Sequence, residues 1–190
     1  MIIYFTTNEK FYSKLLRWIF DEPTSHVGAS FKPEGQIELV ADCTKPHGKL
    51  MHLNNWLFKH RLLCSIEINM KKEHEVKAYE LVVNNCVMKP YDFPAYFYGF
   101  YWGLRIKFLG HKPPKKNAES SKEMDLCTEI LNPIKSLLLE YGIDIYDMDL
   151  AAMTPTMLAM ELYKQTIYNS RVDWKIYDAS VILYLREHGL

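Results

Sequence analysis

The sequence predicts an α+β fold in which an antiparallel β-sheet packs against helices, within one domain spanning residues 1–190. Three observations predict it. In the N-terminal third, short β-branched and aromatic runs are separated by turn signals, the pattern of hairpin-linked strands. Further along, apolar residues recur at helical spacing, and stretches such as Asp92-Phe93-Pro94 and Thr154-Pro155 supply cap-plus-proline helix starts. No repeat or shift in composition divides the chain, which is long enough to bury one sizeable core.

Ile2, Ile3, Tyr4 and Phe5 form the first strand. Thr7 or Asn8 caps the helix that follows, where Phe11, Leu15, Trp18 and Ile19 share helical spacing until Pro23 halts it. Residues 25–31 (SHVGASF) and 36–41 (QIELVA) read as two strands of a hairpin, joined by the turn signal Lys32-Pro33-Glu34-Gly35. Across that hairpin His26 and Glu38 can face one another, although the turn leaves the register open. After the break at Pro46-His47-Gly48, residues 50–59 read as a short helix carrying Leu53, Trp56 and Leu57, residues 62–68 as a strand, and residues 72–83 as a surface helix with a solvated charged side.

Asp92 is the predicted N-cap of an aromatic helix over residues 95–109, whose uncharged part before Arg105 is too short to cross a bilayer. Its all-round apolarity places it in the core, ahead of a membrane-lying or lipid-binding role. Residues 110–121 (GHKPPKKNAESS) form a loop, and its Lys112, Lys115 and Lys116 read as a solvated cluster. Residues 124–131 (MDLCTEIL) then begin a helix capped by Asp125 or Ser121, with Cys127 in its first turns. Asn132-Pro133 restarts the helix as far as Gly142, and residues 144–149 are an acidic connector. Thr154-Pro155 opens a helix containing Leu158 and Leu162, and residues 174–185 offer a final strand or two.

Lysine plus arginine (23) balances aspartate plus glutamate (23), so nothing draws the chain toward nucleic acid. The opening MIIYFTTNEKFYSK lacks the flanks of a secretory signal, which predicts a cytoplasmic or virion-associated protein with no integral membrane segment. The four cysteines, Cys43, Cys64, Cys86 and Cys127, are scattered without a CxxC pair, as expected of free thiols in a reducing compartment. His47 and His52 near Cys43 lack any familiar ligand spacing, so neither a metal nor another cofactor is expected.

One constellation carries chemistry. A thiol near a helix N-terminus has its thiolate favoured by unpaired N–H groups and the positive end of the helix dipole. A histidine on a neighbouring strand can take the proton, and a carboxylate can fix its tautomer. Cys127, His26 and Glu38 can fill these roles.

SHVGASF, then IELVAD, then DLCTEIL resembles the permuted papain-like amidases, the YiiX-like group related to NlpC-type cell-wall peptidases and to lecithin:retinol acyltransferase. The group's motifs read approximately Ser-His-Val-Gly-Ile, a strand carrying a polar residue, and Cys-Ser-Glu-Leu. Its histidine precedes its cysteine, the reverse of ordinary papain-like enzymes. The resemblance implies a circularly permuted papain-like fold with Cys127 as nucleophile, His26 as base and Glu38 at the third, polar position, where the acyltransferase relatives carry a second histidine. Asp42, of the same parity as Glu38 but further from His26 in the presumed pairing, competes for that position. CTE replaces the commoner CSE, and Ala29 stands where a larger apolar residue is usual.

The function so implied is a cysteine hydrolase that cleaves an amide or peptide bond, with peptidoglycan the leading substrate, through a thioester. Two alternatives stand beside it. One is a catalytically idle structural or interaction protein, for instance within a phage particle or other assembly, whose tyrosines suit a protein-binding surface. The other is a lipid acyl hydrolase or transferase.

Overall fold

The computed structural model describes residues 1–32, 37–112 and 126–190. A six-stranded antiparallel sheet organises them: β1 (Ile2–Thr7), β2 (His26–Phe31), β3 (Leu39–Cys43), β4 (Gly48–His52), β5 (Arg61–Ile68) and β6 (Val172–Ile176). The spatial order is β4-β3-β2-β1-β5-β6. Among the described residues the α-helices are α1 (Phe11–Phe20), α2 (Leu53–Leu57), α3 (Lys72–Cys86), α4 (Phe93–Leu109), α5 (Lys135–Glu140), α6 (Pro155–Thr166) and α7 (Ala179–Glu187). A 3₁₀ helix, Cys127–Ile134, precedes α5. The architecture is α+β, as the sequence predicts, and no helix among the described residues is long and apolar enough to cross a membrane.

The period-2 geometry of a strand sorts its side chains between two faces. Ile3 and Phe5 of β1, Val27, Ala29 and Phe31 of β2 and Ala41 of β3 enter the larger core. There they meet Ala78 and Val82 of α3, Ile130 and Leu131 of the 3₁₀ helix, Leu138 of α5 and Leu158 and Leu162 of α6. Tyr4 and Val40 point the other way and pack on Trp56 of α2. With both faces covered, all six residues of β2 are buried.

Gly28 explains how closely α2 can sit. A Cβ placed there would lie 2.7 Å from Trp56 Cζ2 and 2.9 Å from Val40 Cγ1, so only glycine lets the indole lie flat against the strand. Gly103 does the same between helices, since a Cβ there would fall 2.6 Å from both Ile19 Cγ2 and Phe20 Cζ, where α4 crosses α1.

Several caps form as the sequence predicts. Ala95 N–H donates to Asp92 Oδ1 (2.9 Å) at the start of α4, and Met157 N–H donates to Thr154 Oγ1 (3.1 Å) at the start of α6. Other expectations are corrected. Residues 50–52 belong to β4, because Leu50 and Met51 pair with Ala41 and Val40 of β3, and backbone pairing outweighs a weak helical period. The helix does not restart at Asn132; the 3₁₀ helix runs through Pro133, whose missing N–H the tighter coil tolerates at this point. The C-terminal segment yields one strand, β6, and then α7, whose first turn Asp178 caps by accepting from Ser180 N–H (3.0 Å). Helix α4 is no core helix: only Ala95 and Gly103 are buried, while Phe97, Tyr101, Phe108 and Leu109 are exposed. The predicted turn at residues 33–36, most of the predicted loop with Lys115 and Lys116, and the caps Ser121 and Asp125 lie outside the described residues.

Candidate active site

The register between β2 and β3 decides which carboxylate reaches His26. The strands pair as Ala29↔Ala41, Ser30↔Val40 and Phe31↔Leu39. Continued in both directions, this register sets Glu38 opposite Lys32 and brings Asp42 to the diagonal of His26, within reach of a long side chain. His26 Nε2 and Asp42 Oδ1 are 2.5 Å apart, with both residues buried. The expected pairing of His26 with Glu38 is therefore corrected. Glu38 Oε1 instead accepts from Tyr4 O–H (3.1 Å) and from Ser30 O–H, further along the same strand. This register slides Glu38 along β2 without changing its face.

Cys127 opens the 3₁₀ helix and is buried. It lies close enough to His26 to add to the upward shift of the imidazole. Because Asp42 occupies Nε2, Nδ1 is the ring nitrogen left for the thiol. The turn that carries Cys127 is fastened on either side. Leu126 N–H donates to Glu129 Oε2 (2.9 Å), and Thr128 O–H donates to the Leu150 carbonyl (2.6 Å). The Thr and Glu of the CTE motif thus hold the thiol in place while the cysteine faces the site.

Charge follows geometry. Burial by itself would lower the pKa of His26, but the charge and hydrogen bond of Asp42, and then Cys127, raise it to about 10. Burial disfavours the carboxylate of Asp42 in turn, yet the imidazolium beside it holds its pKa below the usual value. At neutral pH the pair is imidazolium and carboxylate. Tyr91 and Tyr96, both half-buried, have phenol pKa values raised first by burial, with the charge of Cys127 adding to the effect. Both phenols therefore remain neutral hydrogen-bond donors.

His60 was not legible in the sequence. Its ring stacks on His26 (centroids 5.0 Å apart) and lies 4.6 Å from Trp56, and its Nδ1–H donates to the Trp56 carbonyl (3.0 Å). Burial, then the neighbouring positive charge of His26, push its pKa down to about 4, so it is neutral. The only hint in the chain is Gly28, the vacancy that admits Trp56 and so brings His60 over His26.

Two cavities meet at this pair. One of about 490 Å³ reaches Cys127 between largely apolar walls that include Leu16, Phe20, Gly99, Trp102, Ile106 and Met153. The other, of about 520 Å³, reaches His26 and Asp42 and is lined by Lys10, Lys45, Lys49 and Lys59. Leu16, Ser25, Tyr91 and Tyr96 line both.

Fold and site together define an α+β protein with an imidazole and a carboxylate hydrogen-bonded to one another and a thiol beside them. The structure is similar to that of the metalloprotein YiiX from Escherichia coli O157:H7, with a TM-score of 0.51 and 14% sequence identity over 95% of this chain and 89% of that one. At that identity the likeness concerns the fold. No family model and no curated protein matches the sequence.

That neighbour is a metalloprotein, and the site here also holds side chains of ligand type. His26, Asp42 and His60 offer ligand-type atoms within 4.8 Å of one another, and the Nδ1–H···O=C bond of His60 leaves its Nε2 with a lone pair, as in many metal-bound histidines. Two features oppose an ion. His26 Nε2 and Asp42 Oδ1 stand at hydrogen-bond distance, 2.5 Å, whereas two ligands on a tetrahedral ion with bonds of about 2.0–2.1 Å are about 3.3 Å apart. Four lysines also line the same cavity, adding positive charge where a cation would sit. The three side chains fit a proton shared by His26 and Asp42 and do not fit an ion held among them.

Proposed function

We propose that this chain is a cysteine hydrolase that acts through a thioester on Cys127, with His26 as acid and base and Asp42 as the group that holds the ring. The observation that carries the proposal is the buried, hydrogen-bonded pair His26 and Asp42 with buried Cys127 near enough to act on the imidazole, the thiol standing at the start of a helix and lining a cavity. Asp42 takes the third position in place of Glu38.

The geometry supports the following sequence. The Cys127 thiolate, formed beside the His26 imidazolium, attacks a carbonyl carbon. The backbone N–H of Cys127, at the start of the helix, is the expected donor to the developing oxyanion. The S–C bond forms, the bond to the leaving group breaks, and His26 delivers its proton to that group. Neutral His26 then takes a proton from water, which attacks the thioester; the C–S bond breaks and the proton returns to sulfur. Asp42 accepts from Nε2–H throughout and stabilises each imidazolium.

The bond cleaved is an amide, peptide or ester bond. The apolar walls around Cys127 favour an acyl portion of aliphatic character over the polar stem peptides of peptidoglycan. The test is turnover of a series of p-nitrophenyl acyl esters, with mass spectrometry of the protein. We expect an acyl adduct on Cys127 and a rate loss of at least about a thousandfold in Cys127→Ala. Unchanged hydrolysis in that variant would refute the proposal.

A second reading, an interaction protein that leaves the site idle, is favoured by one observation. Phe11 and Trp18 of α1 and Phe97, Tyr101 and Phe108 of α4 expose aromatic surface on neighbouring helices. Iodoacetamide separates the two: a nucleophilic Cys127 alkylates well ahead of buried Cys43, Cys64 and Cys86, whereas an idle one does not.

A further inference from the structure

We propose that Glu22 forms a binding site for a primary ammonium group at the end of the apolar cavity remote from the lysines, so that the cavity takes an aliphatic chain bearing an amine. The site is separate from Cys127 and binds its ligand whether or not the thiol is used.

The chain reaches this position through the end of α1. Asp21 adopts a left-handed conformation (φ 56°), and Glu22 N–H donates to the Arg17 carbonyl (3.1 Å), which closes the helix. Pro23 follows, and Thr24 is then fastened to α6: its N–H donates to Thr156 Oγ1 (3.3 Å), and the two hydroxyl oxygens are 2.6 Å apart. Glu22 is thus held on both sides, with only 9% of its surface exposed. It lines the apolar cavity together with Phe20, Trp102 and Tyr184. Glu22 and Tyr184 also border a smaller outer cavity of about 250 Å³, whereas the residues shared with the lysine-lined cavity are Leu16, Ser25, Tyr91 and Tyr96. The carboxyl therefore marks the end of the apolar cavity opposite to its junction beside His26.

A carboxyl buried in apolar surroundings needs either a proton or a cation, because an isolated charge is costly to remove from water. Among the described residues no lysine, arginine or histidine forms an ion pair with Glu22. His188, also on the cavity wall, directs its Nδ1 to the Tyr184 carbonyl (2.8 Å). Burial pushes the pKa of Glu22 up to about 7 against the opposing effect of the Thr154 and Thr156 hydroxyls, so at neutral pH the group stands between its two states. The groups facing it add negative charge. Asp21 and Glu187 border the outer cavity, with Arg17 the one cation among its described lining residues. The Tyr184 phenol is pushed up to about 12 by burial and then by the charges of Glu22, Asp21 and Glu187. An ammonium seated here donates to the Glu22 carboxylate, the carboxyl proton leaves to solvent, and the alkyl chain lies among Phe20, Trp102 and Met153. A neutral alcohol gains no such pairing.

The test is calorimetric titration of the full chain at pH 7 with octylamine, 1-octanol and octyltrimethylammonium, each below its aggregation concentration. Octylamine is expected to bind about tenfold more tightly than 1-octanol, the gain of a charge-assisted hydrogen bond, and more tightly than the quaternary amine, which has no N–H to donate. Glu22→Gln should weaken octylamine by about tenfold and leave 1-octanol within about twofold. Titrations of the unsubstituted chain in two buffers of different ionisation enthalpy read the proton directly and do not depend on how Glu22→Gln folds. About half a proton should be released per octylamine bound at pH 7, where the carboxyl is about half protonated, and none per 1-octanol. Equal affinity for octylamine and 1-octanol, octylamine binding without proton release, or unchanged octylamine affinity in Glu22→Gln overturns the inference. Quaternary amine binding as tight as that of octylamine overturns the assignment to a primary ammonium.

Discussion

His26 and Cys127 stand out in the sequence because each lies in a short motif whose residue types suit acyl transfer. The partner of the histidine does not, because Glu38 and Asp42 share a strand face and differ only in register. The structure gives that place to Asp42, and kinetics can check it. Asp42→Asn is expected to lower kcat by about 10²–10⁴, in line with losing the carboxylate behind a catalytic histidine, while Glu38→Gln leaves kcat within about threefold. Equal losses in the two variants would contradict the assignment. The pair also sets a pH dependence of stability. The pKa of His26 is raised in the fold, so its contribution is fully present below the unfolded value of about 6.5 and is lost as pH rises toward about 10. Asp42 is lowered, so its contribution is present above the unfolded carboxylate value of about 4 and is lost in acid. Thermal melts of wild type and Asp42→Asn should therefore differ most between about pH 4 and 6.5 and converge toward pH 10. A difference that stays constant across that range would remove the ion pair from the account. His60 had no signal of its own in the chain, since a histidine between a short helix and a strand acquires meaning only through what it stacks on.

Among the elements, those with strong local chemistry were legible. The proline and cap signals located α4 and α6, and the β-branched runs located β1 and β5. Those that depend on a neighbour were not. Residues of β4 carry a weak helical period but are drawn into the sheet by β3, and α7 follows a cap at Asp178 that the apolar pattern alone does not reveal. The all-round apolarity of α4 suggested burial, yet the helix lies along α1 at the surface. Gly28 marks where element packing controls the site. Gly28→Val places side-chain atoms where Trp56 now lies, and overpacking of this kind costs about 1–3 kcal/mol. The variant is expected to melt several degrees lower, with altered tryptophan fluorescence, because α2 must lift and take His60 off His26. An unchanged melt and spectrum would show that Trp56 does not depend on the vacant Cβ position.

For the molecule as a whole, the sheet has a large core on one side and a small cluster around Trp56 on the other, and the site lies at the end of β2 where the 3₁₀ helix arrives. A hydrogen-bonded His26 and Asp42 surrounded by lysines predicts that chelation is without effect: dialysis against EDTA should leave ester turnover unchanged, and a loss restored by zinc would assign the three side chains to an ion. The sequence by itself determined the α+β class, the motifs in which Cys127 and His26 lie, and the caps that begin α4 and α6, because each depends on residues within a turn or two of one another. Only the tertiary structure decided that Asp42 meets His26, that His60 stacks above them, and that an apolar and a basic cavity share one junction. Those outcomes depend on strand register and on contacts between residues far apart in the chain, where a shift of two residues keeps every side chain on its face and still changes its partner.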